Sequence, residues 1–303
     1  MTTDSFRRQP FAADDADALA AFCVARGGPY DTGLVKTLLC ELTSDAAGVF
    51  IVHDADGVAL VATVVDRVRN GADAASVETL GVRASIPAAI FTRLVLQPAI
   101  AFARSGPRSA LHVALPPTRL PADGAERALR DAGFERAYDT FEMRRPASAP
   151  PPPVPDALPP GWTWAHLDGG RVDEAHAALV AMFRDAPATH IKPIEDFRTA
   201  VTSGVARWRA LLDGDRIAGL VRAVPHGDSG EVRVLGRTPA YRGRGLGPRL
   251  LAEGLRVLAD ANAGGGDVDL AVEAANEEAL DLYHRFGFKI LTRTPVFALA
   301  LRG

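Results

Sequence analysis

The chain has 303 residues, with 34 lysines and arginines against 37 aspartates and glutamates and a formal charge of −3 at pH 7. That length suits two domains of ordinary size, and the slightly acidic balance argues against a general nucleic-acid binder. Apolar residues at 48% and charged residues at 23% are the proportions of soluble globular protein, and no apolar run approaches the roughly 20 residues that cross a membrane.

The opening stretch, MTTDSFRRQPFAADDADAL, sets acids where a secretory leader needs an apolar core, so the expected location is the cytoplasm. Residues 6 to 26 read as a strand and then a helix, with Asp14, Asp15 and Asp17 where the helix dipole favours acids. A second helix is expected over Leu34–Leu42. Cys23 and Cys40 lie in helix-like apolar patterns, which predicts buried free thiols rather than a disulfide or a metal pair, and no metal centre is expected. The alternating runs Val49–His53 and Val58–Val65, joined by Asp54-Ala-Asp-Gly57, predict a hairpin. Then follow a strand at Val77–Val82, a long helix at Ala88–Arg104 and a short strand at Leu111–Leu115. A helix at Gly124–Ala132, stopped by Gly133, leads into a closing strand at Ala137–Met143.

Residues 146–160, PASAPPPPVPDALPP, favour an extended, semi-rigid spacer and mark the domain boundary. The expected division is therefore 1–145, a linker, and 161–303. Beyond the linker the same order of elements returns. A strand is expected at Trp162–His166, helices at Arg171–Arg184 and Lys192–Val201, and a hairpin of Trp208–Leu212 with Ile217–Val224 across Asp213-Gly-Asp215. A central strand and loop come next, then a helix at Pro248–Asn262, a strand at Val268–Val272, a helix at Glu277–Arg285 and a closing strand at Val296–Leu301. Gly133-Phe134 matches Gly287-Phe288 and Leu80-Gly81 matches Leu235-Gly236 at nearly the same shift, which an internal duplication explains.

The most informative stretch is Gly230–Leu251, GEVRVLGRTPAYRGRGLGPRLL. It opens as a β-branched strand, is halted by Pro239, and passes through Arg242-Gly-Arg-Gly-Leu-Gly247 into a helix with Leu246, Leu250, Leu251, Leu255 and Leu258 on its apolar face. A glycine-rich turn feeding a helix start is an anion site, because unpaired amides and the dipole point at whatever approaches. Arg242, Arg244 and Arg249 add to the positive field. A Walker-type loop would end in Gly-Lys-Ser/Thr, and here Gly247 is followed by Pro248 and Arg249. A dinucleotide fingerprint would need a third glycine where Pro248 stands.

What remains is Arg242-x-x-Gly245-x-Gly247 after a strand that carries Glu231. This pattern resembles the acyl-CoA pyrophosphate loop of the GNAT superfamily of N-acyltransferases. The resemblance covers both halves and is specific from about Ile217 to Phe288, through Glu231, the Arg242 loop, Asn276, Tyr283, Gly287 and Phe288. It implies an α/β fold of two tandem GNAT-like domains, each a mixed, mostly antiparallel sheet flanked by helices. Among tandem members the layout is similar to that of the mycothiol synthases, although the strand at 219–226 lacks the Trp and His those enzymes carry there.

The resemblance further implies acetyl transfer from acetyl-CoA, as co-substrate, to a primary amine. Glu231 matches the carboxylate that removes the ammonium proton, directly or through water. Tyr283 matches the acid that protonates the leaving thiolate. The backbone amides of Leu235, Gly236 and Arg237 would hold the pantetheine and polarise the thioester carbonyl. Arg242, Gly243, Arg244, Gly245, Leu246 and Gly247 would hold the pyrophosphate. Asn276 sits where the family makes cofactor contacts, and it is equally a natural helix N-cap before Glu277 and Glu278.

In the first copy the loop is replaced by Pro87-Ala-Ala-Ile-Phe-Thr92, without glycine or arginine, and Leu129 and Ala122 stand where Tyr283 and Asn276 do. Only the second copy is expected to work. The acceptor is expected to be a small-molecule amine, with a protein amine or a non-catalytic acyl-CoA sensor as the alternatives. No nucleic acid or membrane partner is expected, and a monomer suits the duplicated layout. Asp185, His190, Glu195 and Asp196 lie where an acceptor would meet the first two helices of the second domain. His226 and His284 read as ordinary structural histidines.

Overall fold

A computed structural model describes residues 6–25, 35, 39, 48–69, 72–83, 86–115, 122–150, 157–184, 191, 194–202, 204, 206–261 and 266–301. In chain order its strands are β1 (Arg7–Gln9), β2 (Val49–Asp54), β3 (Gly57–Arg69), β4 (Ala72–Val82), β5 (Ala110–Ala114), β6 (Glu135–Arg145), β7 (Trp162–His166), β8 (Arg207–Asp213), β9 (Arg216–His226), β10 (Ser229–Arg237), β11 (Val268–Glu273) and β12 (Lys289–Ala300). They fall into two compact units, Met1–Asp139 with Arg293–Gly303, and Thr140–Thr292.

In the first unit β1 to β4 form an antiparallel meander, β5 joins β4 in parallel, and the end of β12 closes the sheet antiparallel to β5, Val296 opposite Ala114 and Ala300 opposite Ala110. Alternation along β2 sends Phe50 and Val52 into one apolar cluster and Val49 and Ile51 into another, so the sheet is covered on both faces. The helix expected over 88–104 forms as Ala88–Phe91 and Gln97–Arg104, joined by a π turn at Thr92–Leu96. The expected Leu34–Leu42 helix lies outside the described residues apart from the buried Val35 and Leu39. Cys23 is a buried free thiol, pushed up to about 12 by burial and so inert at neutral pH, whereas Cys40 lies outside the described residues.

The second unit repeats the plan. Strands β7 to β10 run antiparallel, β11 joins β10 in parallel, and residues 140–145 of β6 close the sheet against β11, with Arg144 opposite Asp269. The Arg144 guanidinium grips Asp269 through two hydrogen bonds of 2.7 and 2.8 Å. Thus β6 starts among the residues of the first unit and ends in the sheet of the second, and β12 does the reverse. The compact units differ here from the sequence division at 145 and 161. Within the 146–160 stretch, Leu158 lies against Leu211, Tyr241 and Leu250, and the Arg249 side chain donates to the Ala157 carbonyl at 2.9 Å.

Helices Val172–Met182 and Ile194–Thr202 cover one face of this second sheet, in a cluster with Trp208, Leu220 and Val224. Helix Leu246–Ala261 covers the other with Val221, Ala223 and Val232. It is fastened to β8 by a buried ion pair, Arg209 Nε donating to Glu253 Oε1 at 2.6 Å. Glycines permit this close layering: a Cβ on Gly219 or Gly254 would come within 2.8 Å of Leu250 or 2.9 Å of Val221.

Candidate active site

The site begins with a fault in the ladder. β10 follows β9 from Ser229 to Arg237, with one irregularity between Val232 and Val234 that leaves Arg233 as an extra residue. A bulge sharpens local twist and redirects the strand. Accordingly β10 pairs with β11 only at Gly230 and Glu231, while β11 stays paired with β6 out to Glu273. Past Glu231 the two parallel strands diverge and the β10 edge is left open. The Thr238 amide donates to the Ala218 carbonyl at 3.0 Å, which fixes the alternation. Thr238 and Gly236 turn their amides to β9, so those of Leu235 and Arg237 face the open edge. Gly236 serves by being small: a Cβ there would lie 2.9 Å from Met182 Sδ.

Beyond the open edge, Pro239–Tyr241 makes one turn and the glycine loop follows. Gly243 at φ 73° and Gly245 at φ 67° hold left-handed conformations, and a Cβ on either would point into open space. Here glycine serves backbone geometry and keeps the loop surface bare. Leu246 and Gly247 are buried where the helix starts. The Arg242 guanidinium approaches the Met182 carbonyl at 3.4 Å, and that of Arg244 lies over the Tyr241 ring at 4.8 Å. Arg237 is engaged by Glu278 at 2.5 and 2.6 Å.

Glu231 is not a surface carboxylate. Its side chain is 23% exposed, accepts from Arg233 Nε at 2.6 Å and lies 3.6 Å from His226 Nε2. Burial alone would raise its pKa, but His226 and Arg233 outweigh that and hold it below the usual carboxylate value. His226 therefore stands against Glu231, a neighbour that its position at the end of β9 did not disclose.

Tyr283 is buried in helix Glu277–Arg285 with its ring 5.9 Å from that of Phe288. Its hydroxyl has no hydrogen-bond partner among the described residues, and burial pushes its pKa up to about 12. Against an ordinary thiol near 8.5, that widens the proton-transfer gap from about 2 to about 5 kcal/mol, less whatever the same burial does to the thiol. Asn276 is exposed and caps this helix, Oδ1 accepting from the Ala279 amide at 3.1 Å, which leaves its amide nitrogen for a ligand.

Other candidates have structural employment. His284 Nδ1 is 3.1 Å from the Phe288 carbonyl, and exposed Glu195 faces Arg198 at 3.6 Å. Asp185, His190 and the Asp196 side chain lie outside the described residues. No group of metal-binding side chains occurs among the described residues.

In the first unit β4 also leaves β5 after four paired residues and carries an irregularity opposite Val61 and Ala62. Where the second unit has its bare loop, however, the first has helix Ala88–Phe91 with Ile90 and Phe91 in the core, and Leu129 is buried where Tyr283 would stand.

An open β10 edge with outward amides is thus followed by a glycine loop and a helix start, the arrangement that holds an anion on backbone amides. Residues 173–288 match the Acetyltransferase (GNAT) family. Over 185 residues the chain is 35% identical to mycothiol acetyltransferase of Catenulispora acidiphila, covering 56% of this chain and 55% of that one. Over 168 residues it is 36% identical to the same-named protein of Salinispora arenicola, covering 52% and 54%. The chain thus spans about half the length of the curated relatives it matches. In structure it is similar to a GCN5-related N-acetyltransferase from Sphaerobacter thermophilus, with TM-score 0.71, 21% identity, and 99% and 97% of the two chains covered. A tandem GNAT protein from the clavulanic acid biosynthesis pathway gives TM-score 0.69 at 14% identity over 98% and 99% of the chains. The fold is that of tandem GNAT proteins.

Proposed function

We propose that the second unit transfers an acetyl group from acetyl-CoA to a primary amine of a small molecule, and that the first unit has no acyl-CoA site. The observation that carries this reading is the open β10 edge, with the Leu235 and Arg237 amides turned outward between Glu231 and the bare loop at Gly243 and Gly245. In this reading the pyrophosphate rests on the amides from Arg242 to Gly247, with Arg242 and Arg244 supplying charge. The pantetheine runs along Leu235–Arg237, and Asn276 contacts the cofactor while it caps its helix.

The free amine attacks the thioester carbonyl, forming the C–N bond. Negative charge develops on the carbonyl oxygen, which the β10 amides stabilise. Glu231 receives the ammonium proton directly or through a water. With its affinity for protons lowered by Arg233 and His226, it passes the proton on rather than retaining it. Collapse breaks the C–S bond, and Tyr283, still protonated at any ordinary pH, gives its proton to the sulfur. The second proton, shed by the acylated nitrogen, returns to the Tyr283 oxygen through water, leaving amide, free thiol and neutral tyrosine.

The relatives' name, mycothiol acetyltransferase, favours a second reading in which the acceptor is a compound of mycothiol metabolism. Release of free thiol from acetyl-CoA across a panel of amines tests the reaction. Gly245→Val tests the loop, by lowering CoA affinity at least about 10-fold, or 1.4 kcal/mol. A folded Gly245→Val protein with normal CoA affinity would remove the pyrophosphate from this loop.

A further inference from the structure

Beside Glu231, on the same face of the sheet, stands a cation that makes no hydrogen bond or ion pair among the described residues. Register places Trp208 of β8, Arg222 of β9 and Val234 of β10 opposite one another, and Glu231 opposite Val224. Directly opposed residues share a face, and Trp208, Val224 and Val234 all belong to the cluster under helices Val172–Met182 and Ile194–Thr202. The opposite face, with Val221, Ala223 and Val232, is covered by helix Leu246–Ala261. Arg222 and Glu231 therefore face the same two helices.

The Arg222 guanidinium lies over the Trp208 ring at 5.5 Å. Its Nε is buried without a hydrogen-bond partner among the described residues, as is Nε1 of Trp208, which is only 5% exposed. Among the described residues Arg222 makes neither a hydrogen bond nor an ion pair. The nearby carboxylate, Glu231, is committed to Arg233. Burial, followed by repulsion from Arg233, lowers the Arg222 pKa to about 10, and attraction to Glu231 opposes the fall. Buried donors of this kind ordinarily find an acceptor, and a buried guanidinium most of all.

We infer that Arg222, with the Trp208 indole N–H, holds a carboxylate group of the acceptor, so that the acceptor is a small amine bearing a carboxylate. Charge agrees with an anion: Arg222 and Arg233 outnumber Glu231, and His226 adds to the positive side when protonated. Spacing agrees with it. Two residue steps, about 7 Å along the strand, separate the row of Glu231 from the row of Arg222, a distance that a small amino acid spans. The ammonium end then meets Glu231 and the carboxylate end meets Arg222.

The inference deepens the acetyltransferase reading and rests on it, and it is tested by a binding measurement that needs no turnover. The protein is titrated with a panel of N-acetylated amino acids, each as the free carboxylate and as its primary amide, following Trp208 fluorescence against a Trp208→Phe control and heat by calorimetry. At least one carboxylate should bind 10-fold or more tightly than its amide. Arg222→Gln should erase the difference, and Arg222→Lys should restore part of it. Equal affinity within every pair, no binding by any member, or a preference that survives in Arg222→Gln would overturn the inference. A separate calorimetric titration with CoA reports on the acetyltransferase reading, so the two failures are distinct.

Discussion

An aliphatic ammonium of pKa about 10.4 is the free nucleophile in only about one molecule in a thousand near pH 7, a deficit of about 4–5 kcal/mol. In the proposed reaction Glu231 works on that deficit and Tyr283 does not. Glu231→Gln should depress turnover most near neutral pH, by about 100-fold, and recover as rising pH supplies free amine. Tyr283→Phe keeps the ring on Phe288 and deletes the hydroxyl. Its loss should persist to high pH, since the group it removes does not titrate until about 12, and CoA affinity should change little. A pH–rate series on both variants with one accepted amine decides this, and equal, pH-independent losses would sink the division of roles. Stability carries a second mark of the same burial. Above pH 10 the unfolded phenol ionises while the folded one resists, so the stability present below pH 10 is lost as pH climbs toward 12. In Tyr283→Phe, urea midpoints at pH 9 and 11 should differ less than in the parent.

Helix Leu246–Ala261 supplies the loop's exit and must be held in register with the sheet. Glu253 does this from a buried position, accepting from Arg209 at 2.6 Å and from Arg256 Nε at 2.8 Å. Burial raises its pKa, yet the Arg256 and Arg209 guanidiniums outweigh it and the net shift is downward. A depressed carboxylate contributes stability that is present above its unfolded pKa and lost as pH falls through the folded one. Glu253→Leu strands Arg209 and should cost about 3–5 kcal/mol at pH 7 by urea unfolding. Adding Arg209→Met should recover much of that. None of this was legible in advance, because Arg209 and Glu253 are 44 positions apart and each reads alone as a solvated charge. What local pattern encodes was legible: β7 and helix Glu277–Arg285 form where periodicity and capping put them, and the loop glycines take the backbone conformations that only glycine adopts freely. The bulge at Arg233 was not, since no single strand carries the offset between two. Arg222 and His226 escaped for the same reason, their meaning lying in what stands opposite.

At the scale of the whole molecule, one half of a duplication has filled its loop with Ile90 and Phe91 while keeping the diverging strands. Calorimetric titration with CoA should therefore give one site per chain. Two sites of similar affinity would contradict the assignment of the first unit as one that no longer binds acyl-CoA.

The crossing of β6 and β12 bears on how the protein is made. The first unit's sheet is finished by residues 296–300, which leave the ribosome only after the entire second unit has emerged. Residues 140–145, which finish the second, are by contrast waiting before its other strands exist. Until residues 296–300 emerge, the edge of β5 that they cover stays unpaired, an invitation to mispairing with any nascent strand that passes. The half without the glycine loop is thus the last to be completed.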